Sequence, residues 1–278
     1  PSGELTNLGR KVIDAPGPDL RGLFTGSEGT LGIVTEMTVQ IIPLPESVVT
    51  MVAIFDSVRE ACEAVSAIIR RGVIPVALEM LDQEIIKIVE PRVNAGYPLD
   101  AGAVLLIEVE GLKDSVDTDS QLVSDACNDS GAREVRVAET EDEREKLWEG
   151  RKGAIGAIGA AYPAYYLLDG VVPRTKLPQV MEDVLEVARS YGFRCANMFH
   201  AGDGNLHPAL MFDPNDAGVL DKVLDCAGEI MRLCVESGGA ITGEHGVGLE
   251  KRSFMEWIYS ENDLRAMENI RTAFGPAD

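Results

Sequence analysis

Basic residues and histidine are scarce in this chain. Lys and Arg number 25 against 46 Asp and Glu, a formal net charge of −21 over 278 residues. That surplus repels phosphodiester backbones and anionic headgroups, which argues against nucleic acid or an acidic membrane surface as partner. No stretch approaches the roughly 18 apolar residues of a membrane-spanning helix. The uncharged run 153–168 is broken by glycines and Pro163. Cysteine is sparse too: five, an odd number with no C-x-x-C pair. Most sit at apolar helix or strand positions, the pattern of buried reduced thiols in a reducing compartment. No signal-peptide pattern is visible. The chain starts at Pro1 within a turn-like Pro1-Ser2-Gly3-Glu4, which reads as a piece of a longer protein, so upstream targeting segments would go unseen.

The three histidines fall in two glycine-rich stretches. One is Phe199-His200-Ala201-Gly202-Asp203-Gly204-Asn205-Leu206-His207-Pro208, the other Gly238-Gly239-Ala240-Ile241-Thr242-Gly243-Glu244-His245-Gly246-Val247-Gly248. Glycines 202 and 204 allow a tight turn between the apolar strand patterns at 194–198 and 206–212. Such a turn can aim His200 and His207 at one point, and the second turn can deliver Glu244 and His245 there. Two neutral imidazoles and a carboxylate suit a borderline divalent metal, zinc or manganese. His245 is then free to move a proton near neutral pH. H-x6-H alone is a weak signal, since an imidazole beside an apolar strand also serves as a hydrogen-bonded structural residue. Two His, a Glu and an adjacent His in glycine-rich turns make a stronger one.

Along the chain, Pro16-Gly17-Pro18-Asp19 marks a turn. The following Gly26-Ser27-Glu28-Gly29-Thr30-Leu31-Gly32 lets backbone N–H groups approach a ligand, as phosphates and flavin rings require. A tight structural loop explains the bare pattern equally. Residues 37–42 alternate as a strand does, and Pro43-Leu44-Pro45 reads as a linker. Strand patterns follow at 50–55, 77–81, 104–108 and 134–137. The intervening helices include one opened by a Ser57-x-x-Glu60 capping box and one over 114–130. Thr140-x-x-Glu143 caps a helix carrying Trp148 and Arg151. A second group repeats the order: strand 165–172, helix 177–191, strands 194–198 and 206–212, helix 216–237. This predicts an α+β fold of two duplicated ferredoxin-like halves, an antiparallel sheet covered by helices.

Six motifs in order resemble FAD-linked oxidases of the vanillyl-alcohol oxidase/p-cresol methylhydroxylase superfamily. Gly26-Ser27-Glu28-Gly29-Thr30-Leu31-Gly32-Ile33-Val34-Thr35-Glu36 resembles the end of their FAD domain. Val76-Ala77-Leu78-Glu79-Met80-Leu81-Asp82, Trp148-Glu149-Gly150-Arg151-Lys152, Asp169-Gly170-Val171-Val172-Pro173-Arg174 and the two histidine stretches resemble their C-terminal domain. The resemblance implies that 1–45 ends an FAD-binding α+β domain and that 46–278 form the substrate (cap) domain. It implies hydride transfer from a D-2-hydroxy acid to FAD. His200, His207 and Glu244 would be metal ligands, His245 the base, and Arg151 the grip on the substrate carboxylate. Asn205 would lie beside flavin and substrate, with Ser27, Gly29, Thr30, Gly32 and Ile33 against the flavin. Members specific for D-2-hydroxyglutarate carry a lysine on the strand that here reads Tyr165-Tyr166-Leu167-Leu168-Asp169. A small monocarboxylate, glycolate or D-lactate, is therefore the expected substrate.

The same resemblance implies a second FAD-type subunit and an iron–sulfur subunit as partners, and leaves a homo-oligomer open. The location it implies is cytoplasmic, or peripheral at the inner membrane through those subunits. The pyrophosphate-binding half of the FAD domain and a C-terminal Asn-Pro-Gly-Lys segment have no counterpart within 1–278, so this chain alone is expected to hold no FAD and to be inactive. Two competing classes are a metal-dependent hydrolase or lyase without flavin, which leaves 24–36 without purpose, and a non-catalytic assembly module.

Overall fold

The computed structural model describes residues 3–10 and 16–275. The first two residues of the N-terminal turn-like stretch lie outside the described residues. The chain forms two compact units, Pro1–Leu44 with Gly246–Asp278, and Pro45–His245.

In the smaller unit, α1 (Leu20–Phe24) begins where Asp19 accepts a hydrogen bond from the Gly22 N–H at 2.9 Å. The glycine-rich loop then turns on itself, the Thr30 N–H and hydroxyl both donating to the Ser27 carbonyl. Residues 37–42 do not form the strand their alternation suggests. They carry no regular secondary structure and are exposed, because a strand requires a neighbour for its N–H and C=O groups, and no described residue supplies one.

The larger unit begins with β1 (Ser47–Phe55), α2 (Val58–Arg70), β2 (Ala77–Asp82), α3 (Gln83–Val93), β3 (Ala103–Gly111), α4 (Lys113–Asp129) and β4 (Glu134–Val137). The Ser57/Glu60 capping box at α2 is formed in both directions. The strands pair antiparallel in the order β4-β1-β3-β2, the ferredoxin-like arrangement that the sequence predicts. Next come α5 (Glu141–Lys152), α6 (Ala154–Ala161), β5 (Ala164–Leu167), β6 (Gly170–Val171), α7 (Leu177–Ser190), β7 (Arg194–His200), β8 (Asn205–Leu206), β9 (Pro208–Phe212) and α8 (Val219–Glu236). Here β9 lies between β5 and β7, again antiparallel. The smaller unit closes the chain with α9 (Glu261–Ala273), capped by a Ser260/Asp263 box.

The two halves join where β2 pairs antiparallel with β7, in the register Glu79↔His200, Met80↔Phe199 and Leu81↔Met198. Both faces of this joint sheet are covered. Val52, Ile54, Leu81, Val104, Leu106 and Met198 pack against Ile85, Ile86 and Val89 of α3 and Ala154 and Ile158 of α6. On the other side α2 packs against α4 and α7, and α7 against α8. Helix α3 is inserted where a ferredoxin-like plan has a hairpin, and the Gly/Ala stretch after Lys152 is helical as α6. Neither follows from a polar–apolar stripe alone, since α6 carries no charged residue and α3 contains Pro91.

Asp82 ends β2 and starts α3. Its carboxylate accepts from the Ile85 N–H at 2.9 Å, and from the Asn197 N–H and Nδ2 at 2.9 and 2.7 Å, pinning β7 to the helix start. Burial pushes this carboxyl from an ordinary 3.8 up to about 6, outweighing those hydrogen bonds. The native state therefore holds the proton more tightly than the unfolded chain does. The contribution of Asp82 to stability is greatest below about pH 4 and falls as pH rises to about 6. The span is at most roughly 3 kcal/mol, at about 1.4 kcal/mol per pH unit of displacement. The urea midpoint of wild type relative to Asp82→Asn should fall between pH 4 and 6 and stay level above; a constant offset across that range would contradict this.

Candidate active site

His200 is the last residue of β7, held directly across from Glu79 of β2 by the sheet register. The chain then turns through residues 201–204. Gly204 has φ +73°, and a Cβ there would lie 2.2 Å from the Val172 carbonyl oxygen, so only glycine fits. The Gly202 N–H donates to the Leu78 carbonyl, and Arg174 Nη1 donates to the Gly202 carbonyl at 2.9 Å. β8 follows, bringing His207 inward beside Leu168.

The second stretch is fixed by one carboxylate. Asp169, fully buried, accepts from the Thr242 hydroxyl at 2.6 Å and from the backbone N–H groups of Gly243, Glu244 and His245 at 3.1–3.2 Å. Three consecutive N–H groups closing on one anion form a nest, and they curl residues 242–245 over the first turn. Gly243 passes so close to Asn205 that a Cβ would fall 2.4 Å from its side chain.

These two turns bring His200, His207 and Glu244 together. Glu244 Oε1 lies 2.9 Å from His207 Nε2 and 3.4 Å from His200 Nε2, and the three ligating atoms all fall within 4.8 Å of one another. The other nitrogen of each imidazole faces an acceptor. His207 Nδ1 meets the Leu168 carbonyl at 3.2 Å, and His200 Nδ1 meets Glu79 Oε1 at 2.7 Å. Carboxylates only accept, so the short contact to Glu79 favours the proton of His200 on Nδ1 and leaves its Nε2 lone pair toward the common point. His207 lies between two acceptors, the Leu168 carbonyl and Glu244, and a cation at the common point would take its Nε2 lone pair. Two imidazole nitrogens and a carboxylate oxygen, each imidazole steadied by an outer oxygen, fit a zinc or manganese ion. The two titrate in opposite directions: the Glu79 hydrogen bond raises His200 against the effect of burial, while burial lowers His207.

His245 stands next to this set. Its ring stacks on that of His207, centroids 4.9 Å apart and 7° from parallel, and its Nε2 is 3.6 Å from Glu244 Oε1. It is also the most exposed of the three imidazoles, so it can receive a proton from a bound molecule. Asn205 is buried beneath the turn, and its Oδ1 has no hydrogen-bond partner among the described residues. A buried acceptor in that state needs a donor from outside the protein. Arg151, on α5, points Nε and Nη2 at Glu79 Oε2, both at 2.9 Å. It engages none of the acidic residues preceding it on α5, leaving its Nη1 edge without a protein partner among the described residues. Ser27, Gly29, Thr30, Gly32 and Ile33 lie together on one turn of the smaller unit. There Glu28, at φ 52°, accepts from the Val247 and Gly248 N–H groups.

Glu79 and Asp169 are the residues that reading the sequence leaves without a role. The signal for both is a lone carboxylate in an otherwise apolar strand, Ala77-Leu78-Glu79-Met80-Leu81 and Tyr166-Leu167-Leu168-Asp169-Gly170. Such a charge is tolerated only where partners surround it.

An antiparallel α+β sheet with a histidine–carboxylate cluster at its seam describes the class. Residues 44–278 match the family of FAD linked oxidases, C-terminal domain, and the chain belongs to it. It is 44% identical over 274 residues to glycolate oxidase subunit GlcD of Escherichia coli (strain K12), across 99% of this chain and 55% of that one. To the probable mitochondrial D-lactate dehydrogenase of Danio rerio it is 31% identical over 264 residues, across 94% of this chain and 53% of that one. The chain thus spans about half the length of the curated relatives it matches. The fold matches the solved 4-ethylphenol oxidase from Gulosibacter chungangensis, in a complex with isoeugenol, with a TM-score of 0.70 at 18% identity, over 94% of this chain and 57% of that one.

Replacing Asp169 by alanine leaves three N–H donors of the second turn without their acceptor, at about 1–3 kcal/mol for each buried group. Amide hydrogen exchange at Gly243, Glu244 and His245 should speed up at least tenfold, with the β1–β3 ladder unchanged. Equal protection in the variant would show that the turn is held by something else.

Proposed function

We propose that the chain is the C-terminal part of a flavoprotein that oxidises a small D-2-hydroxy acid, glycolate or D-lactate, to the 2-oxo acid. In this reading residues 1–45 complete an FAD-binding domain and 46–278 bind and orient the substrate. The observation that carries it is the convergence of His200 Nε2, His207 Nε2 and Glu244 Oε1, with His245 stacked alongside. Family membership and the names of the relatives support the reaction class.

Zinc or manganese, when bound, would supply the Lewis acidity that eases loss of a hydroxyl proton, and FAD would supply the two-electron acceptor. His200, His207 and Glu244 would hold the ion, and their outer partners Glu79 and the Leu168 carbonyl fix the ring orientations. His245 takes the proton of the substrate hydroxyl at its Nε2 as the C2 hydrogen departs as hydride. Its half-exposed ring, lying flat on His207, can pass that proton to solvent afterwards. Arg151 offers its free guanidinium edge to the substrate carboxylate, a planar, always-charged donor pair that lysine cannot imitate. The Asn205 amide turns its unpartnered oxygen to the bound molecules. The turn holding Ser27, Gly29, Thr30, Gly32 and Ile33 would face the flavin. Because the strand before Asp169 lacks a second cation, small monocarboxylates suit the site better than dicarboxylates.

The word subunit in the name of the Escherichia coli relative supports partner subunits; in this reading a second FAD-type chain and an iron–sulfur chain would be the route for electrons. No helix among the described residues is long and apolar enough to cross a membrane, so an inner-membrane location would come through those partners.

In the complete protein, His245→Ala should slow anaerobic flavin reduction by glycolate or D-lactate roughly 100- to 10,000-fold, the usual worth of a positioned base. Flavin and metal content should stay at wild-type levels. Reduction within a few-fold of wild type would remove His245 from the chemistry.

A further inference from the structure

The buried carboxylate at the seam is shared between two functional groups. Glu79 is 6% exposed and lies on a strand whose other residues are apolar up to Asp82. Its Oε1 faces His200 Nδ1 at 2.7 Å, and its Oε2 takes both Arg151 Nε and Nη2 at 2.9 Å. The two contacts come from opposite halves of the fold, His200 on β7 and Arg151 on α5. Each oxygen therefore has one client, and the carboxylate plane fixes the angle between them.

We infer that Glu79 is a positioning residue that sets the tautomer of His200 and the rotamer of Arg151 together. It thereby couples the metal position to the substrate-carboxylate position. This rests on the reading of His200, His207 and Glu244 as metal ligands.

The chemistry is specific. An acceptor-only carboxylate at Nδ1 obliges the neutral imidazole to keep its proton there, so Nε2 carries the lone pair. The same negative charge makes that nitrogen a better ligand. For Arg151, Glu79 occupies the Nε–Nη2 edge and leaves the Nη1 side to an external carboxylate. No other protein group at the seam reaches both side chains among the described residues.

Glu79→Gln separates the two tasks. A guanidinium only donates, so the amide oxygen must stay on Arg151 and the amide NH2 must turn to His200. That NH2 donates to Nδ1, which shifts the ring proton to Nε2 and removes the lone pair from the metal position. Glu79→Asp keeps an acceptor-only group and should keep the wild-type tautomer.

The test uses the complete protein, freed of metal and labelled with 15N-histidine, at a pH where all three imidazoles of this region are neutral. The His200 resonances are assigned with His200→Ala, and zinc is titrated into the same samples. Expected are an Nδ1–H tautomer of His200 in wild type and Glu79→Asp, an Nε2–H tautomer in Glu79→Gln, and zinc affinity roughly 10- to 100-fold weaker in Glu79→Gln. An Nε2–H tautomer in wild type overturns the inference without any variant having to fold. So does zinc affinity in folded Glu79→Gln equal to wild type. Zinc binding lost in His207→Ala but intact in Glu79→Gln defeats the role of Glu79 alone. Equal zinc binding by wild type and His207→Ala defeats the metal reading, and this inference with it.

Discussion

The antiparallel pairing of β2 with β7 is the constraint on which the site depends. It joins two ferredoxin-like halves into one sheet, and its register sets Glu79 opposite His200. A slip of one residue would turn every side chain of β7 to the other face, taking His200 away from Glu79 and Glu244 alike. The register is held by apolar pairs on both faces, Met80 with Phe199 and Leu81 with Met198, all fully buried. Asp82 fastens the far end by gripping both the backbone and the side chain of Asn197. Core packing thus fixes the geometry of the polar cluster.

Charge is distributed accordingly. The protein as a whole is strongly acidic, yet its two deepest site carboxylates are spent on internal positive or donor groups. Asp169 closes on three backbone N–H groups and a hydroxyl, and Glu79 on an arginine and an imidazole. Each is an anion buried with its partners, stable only as a set, because removing one side leaves the other uncompensated. Such sets hold a turn or a ring in one orientation, which is what a metal or a reacting substrate needs. Glu244 differs: half-exposed and near three imidazoles, it is the carboxylate free to meet a ligand.

Much of this was legible in the residues. Caps at Ser57 and Thr140, alternating strands and amphipathic helices report local physics, and local physics set those elements. The grouping of His200, His207, Glu244 and His245 was readable because glycine-rich turns were the only places holding histidine. What stayed hidden was long-range. The pairing partner of Glu79 lies 121 residues away along the chain, and no local pattern encodes that distance. Helix α6 is too uniformly apolar to show a stripe, and α3 carries a proline in its last turn. Residues 37–42 show the opposite failure: their alternation is strand-like, but a strand is a property of two segments, and the second is not among the described residues.

The most direct measurement is anomalous X-ray scattering at the zinc and manganese edges from crystals of the complete protein. A single peak within bonding distance of His200 Nε2, His207 Nε2 and a Glu244 oxygen, about 2.0–2.2 Å for zinc, is expected. A peak elsewhere, or none with Glu244 turned away from both imidazoles, would contradict the proposed centre.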